Sequence, residues 1–256
     1  MSSTVLYAVV ALACIAIPFI LHHINKNARH PLDITLRQLI SQNLTYFITL
    51  YAFILSFSMI TLWGIYQNAE TTVTKEAELA LNMYRLSPGL PNSGHFRGLL
   101  KDYVMIVKNE EWKEMDEGVF HPKMDSIDDR LWSELNAIRP KSPEYFSTYN
   151  NLIVMMTDMG ERRLERLLLL DGSLYPQMWA LIYLGGFLSL FGLFFTSTGQ
   201  AKVQFISDFM MICMIVFTIY LIYELDSPFS GTLHIEPKAF NLVYEKMIHL
   251  GAQLVK

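Results

Sequence analysis

The fold class predicted by the sequence is an all-α, polytopic membrane protein, and three observations predict it. Four apolar blocks, residues 5–21, 44–66, 177–196 and 203–223, approach or exceed what a roughly 30 Å hydrocarbon core requires at about 1.5 Å per residue. The 256 residues are 52% hydrophobic and only 17% charged, below the roughly one quarter of soluble domains, and most of the charge lies between the second and third blocks. That intervening region carries no strand-type alternation and reads as helix throughout. The expected architecture is four transmembrane helices with a helical extramembrane domain inserted between the second and third. Its parts are 1–66 (first helix pair), 67–175 (helical domain), 176–223 (second helix pair) and 224–256 (an elbow and an amphipathic helix).

Val5–Leu21 is uncharged and broken only by Pro18. A cleaved leader wants a basic start, and MSST supplies none, so the segment is expected to remain as a spanning helix. Residues 22–43 form a polar connection. The pair His22 and His23 resembles a metal handle, but adjacent residues do not share a helix face, and an interfacial loop is the favoured reading.

The second block continues without Pro into QNAETTVTKEAELALNMYRL, a run of good helix formers. The spacing predicts one helix from Leu44 to Leu86 that leaves the membrane and enters the helical domain. Ser87–Gly94 is turn-rich and ends it. His95–Glu117 follows as an amphipathic helix closed by Gly118. Ser126 and Asp129 have the form of a capping box, predicting a short helix through Ile138. Ser142-Pro143 then opens a long helix to Leu170, whose end stacks Arg162, Arg163 and Arg166 just before the third block.

In the third block Gly185, Ser189 and Gly192 share a face that lets another helix approach closely. In the fourth, Asp208 leaves only Phe209–Tyr223 free of charge, about 22 Å of helix, which places Asp208 at headgroup level or against a polar interior. Past that block, Asp226, Pro228, Phe229 and Gly231 predict a compact elbow. Pro228 ends the fourth helix near Leu225, Gly231 permits a tight turn, and Phe229 needs an apolar pocket, with Val73, Ala77 and Ala80 as expected walls. Asp226 is expected to cap backbone amides or to meet Arg162 or Arg163. The competing reading is a disordered exit from the membrane.

Several function classes are excluded or left without support. A net charge of −4 gives no basic surface for nucleic acid. There is no zinc-protease motif, no phosphate-binding glycine loop and no Cys/His ligand pair, so neither a cofactor nor an enzymatic activity is expected. The acidic group Glu110, Glu111, Glu114, Asp116 and Glu117 reads as a solvated helix end. Arg162, Arg163 and Arg166 are candidates for contact with anions or lipid phosphates. Pairing with Glu161 and Glu165 along the helix accounts for them equally well.

Taken in order, YAFILSFSMITLWGIYQNAE, KEAELALNMYRL, FRGLLKDYV, ERRLERLLLL, YPQMWALIYLGG and LDSPFSGTLHIEPKAF resemble the bacterial bestrophin-like membrane family, from Tyr51 to Phe240. At a greater distance the chain resembles the bestrophins, pentameric anion channels whose second span lines the pore and whose fourth span is followed by a Pro-Phe-Gly element. Pro228-Phe229-Ser230-Gly231 is similar to that element with one residue inserted. The acidic run of calcium-gated bestrophins is replaced here by Thr232-Leu-His-Ile, so calcium gating does not carry over.

The resemblance implies a homo-oligomer, a pentamer by analogy, in the lipid of a bacterial inner membrane. It makes Thr45, Thr49 and Ser56, with Phe53 and Phe57 on successive turns, candidate pore-lining residues, the aromatic rings forming a constriction. Taken alone, the residues favour packing of both Phe side chains on neighbouring helices or lipid. Lys and Arg within about 20 residues of the spans number six on the side of the helical domain and four on the other, a lean towards a cytoplasmic domain. The first helix, with its basic flank after it, argues the opposite way. A different class of function, a membrane-anchored sensor or scaffold binding a protein partner through the helical domain, fits the same organisation.

Overall fold

The computed structural model describes residues 16, 34–116, 122–193 and 201–253. The first predicted span, the His22–His23 pair and Gly118 therefore lie outside the described residues. Among the described residues all regular structure is helical. Helix α1 runs Ile34–Leu86, α2 Gly94–Ile106, α3 Trp112–Asp116, α4 Pro122–Ala137, α5 Phe146–Leu168, α6 Pro176–Leu193, α7 Ala201–Leu225 and α8 Lys238–Gln253. Three of these, α1, α6 and α7, are long and apolar enough to cross a membrane.

Several boundaries differ from the sequence reading. Helix α1 begins ten residues before Leu44, because past Pro31 no Pro or Gly interrupts the polar stretch and its residues tolerate helix. The expected capping box at Ser126 lies inside α4, which already starts at Pro122, a residue suited to a first helical turn. Pro143 opens a single 3-10 turn, Pro143–Tyr145, ahead of α5, and Ser142 makes no side-chain cap bond there. The helix expected over 95–117 contains a π-helical turn, Val107–Glu111, between α2 and α3.

The chain divides into two compact units. One takes its residues from Met1–Gly64 and Ser173–Asp226, the other from Ile65–Gly172 and Ser227–Lys256. We call them the apolar and the charged unit. In the apolar unit α1 meets α6 at glycines. A side chain at Gly185 would overlap the Tyr51 ring, and one at Gly192 would overlap Leu44. Tyr51 closes the contact by donating its hydroxyl to the Ile182 carbonyl at 2.8 Å. Such contact depends on the absence of Cβ atoms, as in helix pairs held by packing within lipid.

The charged unit has a core of its own, built from the second half of α1 (Val73, Ala77, Ala80, Met83), α2 (Phe96, Leu100, Tyr103), α5 (Leu152, Met156, Met159) and α8 (Phe240, Val243, Met247). The buried positions of α5 recur as Leu152, Met156, Met159, Arg163 and Arg166, a single stripe at helical spacing. Two arginines thus occupy core positions of an otherwise apolar face.

Candidate functional site

In the apolar unit, the face of α1 away from α6 is uncovered among the described residues. Phe53 and Phe57 are 70% and 67% exposed, and Thr45, Thr49 and Ser56 are exposed as well. At 100° per residue the hydroxyl residues fall within about 40° of one another, and the two Phe residues lie about 80° further round. The candidate pore residues therefore form two neighbouring stripes, one small and one aromatic. Thr45 and Thr49 donate their hydroxyls to the carbonyls of Ser41 and Thr45, one turn back, which leaves their methyl groups outward.

In the charged unit the arginines converge on two buried carboxylates. Arg166, fully buried, pairs with Glu76 through two bonds of 2.7 and 2.9 Å and with Glu111 through a third of 2.9 Å. Its remaining nitrogen donates to Met115 Sδ, and its guanidinium lies 5.5 Å from the Trp112 ring centre. Arg163 reaches Glu111 at 3.3 Å, and Tyr103 donates to Glu76 at 2.6 Å. Burial works against the Arg166 charge, but Glu76 and Glu111 outweigh it and raise its pKa well above the ordinary arginine value. Burial, reinforced by Glu76, raises the Tyr103 phenol well above its own. Two guanidinium and two carboxylate groups balance, and the bidentate geometry is the kind that offsets the cost of desolvation.

This closes one reading of the arginines. Arg163 and Arg166 are buried in ion pairs and have no surface on which to receive a lipid phosphate or a mobile anion. Arg162 alone is partly exposed, and it pairs with Glu165 at 2.8 Å. Glu165 also accepts from Asn68 and Thr72 of α1. The acidic helix end is corrected too. Glu111 is 1% exposed and bridges both arginines, on the buried face that also carries Leu100, Val104 and Val107.

The elbow residues divide between the units. In the apolar unit α7 ends at Leu225, and Asp226 accepts from the backbone amides of Ser173 and Leu174 (2.8 and 2.7 Å) and from the Trp179 indole (3.1 Å), not from an arginine. In the charged unit Phe229 is 2% exposed. It stands edge-on to Trp112 at 5.8 Å, in the core cluster that also holds Val73, Ala77 and Ala80. Gly231 has φ 83°, a conformation that favours glycine, and the amide of Ile235 returns to the Pro228 carbonyl at 2.8 Å. Trp112 is one of the apolar residues at helical spacing in the helix expected over 95–117. It donates to the Ile235 carbonyl and also packs 5.9 Å from Phe240, so one indole joins the elbow, α8 and Arg166.

Sequence reasoning missed the pairing of Glu76 with Arg166, although both positions signalled it. Glu76 falls on the stripe Ala69, Val73, Ala80 and Met83, and Arg166 on the stripe Leu152, Met156 and Met159. Opposite charges on two apolar stripes require each other. Glu111 carried a similar signal, since it follows Leu100, Val104 and Val107 at helical spacing. Among the described residues no group of His, Cys, Asp and Glu could hold a metal ion.

Comparison with known proteins agrees with this arrangement. A crystal structure of a point mutant of a bacterial bestrophin homolog from Klebsiella pneumoniae is similar over 95% of this chain and 97% of its own, with a TM-score of 0.67 and 13% identity. A second mutant of that homolog gives 0.68 at 12% identity, over 94% and 98%. A crystal structure described only as a membrane protein gives 0.62 at 12% identity, over 94% of each chain. At such identities the likeness is one of fold. A search of curated proteins found no match. The model of the bestrophin-like domain matches residues 5–240, nearly the whole chain, and the chain therefore belongs to the bestrophin-like family.

Proposed function

We propose that the protein is an oligomeric membrane channel, for anions, in which α1 lines the conduction path and continues into a helical domain outside the bilayer. The observation that carries the reading is the uncovered aromatic stripe of α1: Phe53 and Phe57 are large, exposed and adjacent by one turn. Several copies around an axis would bring these rings together as an apolar constriction that gates by dewetting. The hydroxyl stripe, with its donors already satisfied one turn back, would stand beside the neighbouring copy or the path itself.

The rest of the reading follows the family. Four spans are counted when residues 5–21 are included with α1, α6 and α7. The copies number five by analogy with bestrophins, and the location is a bacterial inner membrane with the domain over 67–175 on the cytoplasmic side. The buried arginine–carboxylate cluster is fully paired and offers no nucleophile to a substrate, which supports a structural part for it within a channel. A protein partner at the helical domain remains compatible with this reading.

The test is conductance. Purified protein in planar bilayers should pass current, anions more readily than cations, and Phe53→Ala/Phe57→Ala should raise the open fraction. Silent bilayers for both proteins would remove the channel reading, and stoichiometric recovery of a soluble partner from native membranes would then favour the scaffold.

A further inference from the structure

Helix α6 carries four aromatic side chains one turn apart: Trp179, Tyr183, Phe187 and Phe191. At 100° per residue they lie roughly opposite the Gly185 and Gly192 face that meets α1. Tyr183, Phe187 and Phe191 are 54%, 64% and 54% exposed. Trp179 stacks on Tyr183 at 5.3 Å and Phe187 on Phe191 at 6.2 Å, so the stripe consists of two stacked pairs in line. Its composition has a direction. Rings with polar tips stand at the start of α6 and plain hydrocarbon rings follow, about 18 Å from first to last. One leaflet of a bilayer, a polar head over about 15 Å of hydrocarbon, has the same gradient in the same order.

The polar end of the stripe is chemically one-sided. Helix α7 packs on α6 with Ile215 and Ile219 at Gly186, and it brings the Tyr223 ring to 6.2 Å from Trp179, inclined at 64°. Tyr223 is half exposed. Bonded to the same indole is Asp226, 9% exposed, which has no cationic partner among the described residues. No Lys or Arg occurs between Arg166 and Lys202 or between Lys202 and Lys238, and Lys202 stands at the opposite end of α7. The amides of Ser173 and Leu174 just ahead of α6, where a phosphate would otherwise find donors, are already taken by Asp226. Exposed π faces beside a carboxylate that lacks a cation attract an ammonium group and offer nothing to a phosphate.

We propose that this face of α6 binds a phospholipid whose headgroup carries an ammonium, with the ammonium at Trp179, Tyr183 and Tyr223 beside Asp226 and an acyl chain along Phe187 and Phe191. A zwitterionic headgroup meets the site with its positive end, and an anionic headgroup has no positive end to offer. A free amine brings the same charge but no chain to cover Phe187 and Phe191, which selects the lipid as the occupant. The site goes beyond the channel reading and does not depend on it, since it needs the bilayer and not conductance.

The experiment places the full-length protein in nanodiscs of equal parts phosphatidylethanolamine and phosphatidylglycerol with matched acyl chains. After mild detergent extraction, the lipid that stays with the protein is counted by mass spectrometry. The wild type should retain the ethanolamine lipid at least about threefold over its share of the bilayer. Tyr183→Leu/Tyr223→Leu, which removes two π faces and keeps apolar bulk, should return the ratio to that of the bilayer. Tyr183→Phe/Tyr223→Phe, which keeps the π faces, should keep the enrichment. Excess free ethanolamine should leave the retained lipid in place. A wild type that holds the two lipids in bilayer proportion, or favours the anionic one, would overturn the site without reference to any variant. So would a wild type that retains no lipid, the result expected if a second copy covers this face. Undiminished enrichment in the Leu variant would overturn the aromatic recognition, and displacement by free ethanolamine would overturn the lipid as occupant.

Discussion

In both units Thr hydroxyls return to a carbonyl one turn back on their own helix, and the charged unit adds a buried network drawn from several helices. In the charged unit the partners come from distant parts of the sequence: Glu76 lies on α1, Tyr103 on α2, Glu111 on a π-turn and Arg166 on α5. In the apolar unit the hydroxyls of Thr45, Thr49, Ser58, Ser189 and Thr218 each return to a carbonyl one turn back on their own helix. Tyr51 and the Asp226 cap reach between separate helices or turns. A helix in lipid must satisfy its polar groups before it meets a neighbour, whereas helices folding in water can leave that to tertiary structure. The exposed residues tell the same story, since Leu50, Phe53, Phe57, Ile60, Phe187, Met210 and Met214 face outward from the apolar unit.

The contrast breaks most sharply at Arg166. Arg166→Met keeps much of the volume but leaves Glu76 and Glu111 facing each other without their common cation, and removing one partner of a buried pair costs about 3–5 kcal/mol. Denaturant unfolding followed by tryptophan fluorescence should show this loss in the charged unit. The fourfold change Arg163→Met/Arg166→Met/Glu76→Leu/Glu111→Leu should recover much of it, since an apolar replacement of a whole buried cluster is often neutral. A single mutant as stable as wild type would mean that the cluster contributes nothing.

At the α1–α6 contact the apolar unit should fail for shape instead of charge. Gly185→Leu places a side chain where the Tyr51 ring already sits, and overpacking of this kind typically costs about 1–3 kcal/mol. The variant should unfold earlier in detergent, and Tyr51→Ala in the same chain should relieve part of the loss by opening space. Tyr51→Phe, which removes only the bond to the Ile182 carbonyl, should cost less, about 0.5–1.5 kcal/mol.

How much of this was legible in the sequence differs between the units for a physical reason. Apolar length announces a spanning helix locally, so α1, α6 and α7 could be placed from composition, and the glycine face of α6 from spacing. Pro228 and Gly231 fixed the elbow by backbone constraint, and Phe229 announced a need for burial. The wall that Phe229 meets edge-on, Trp112, belongs to a segment more than a hundred residues away, and nothing local points to it. Glu111 was misread because of its acidic neighbours in sequence, although it follows Leu100, Val104 and Val107 at helical spacing and bridges two arginines. Charges on apolar stripes were the legible part of that cluster; which stripe meets which was not.

The smallest expected effect is a proton dependence at the edge of the charged unit. Burial pushes the Glu165 carboxyl upward, but hydrogen bonds from Asn68, Thr72 and Arg162 outweigh it and hold its pKa below the ordinary glutamate value of 4.5. A folded-state pKa below the unfolded one means that the carboxylate contributes stability above about pH 4.5, and that this contribution is lost as pH falls through the folded value. Its side chain is about one third exposed, so water and salt screen much of the pairing with Arg162. The neutral donors Asn68 and Thr72 persist in high salt, and they tie α5 to α1 independently of the ion pair. Glu165→Gln should therefore flatten the acid limb of the stability profile below pH 4.5 while leaving neutral stability little changed, and high salt should remove only part of the difference. An acid limb identical to wild type would show that this carboxylate takes no part in the acid response of the charged unit.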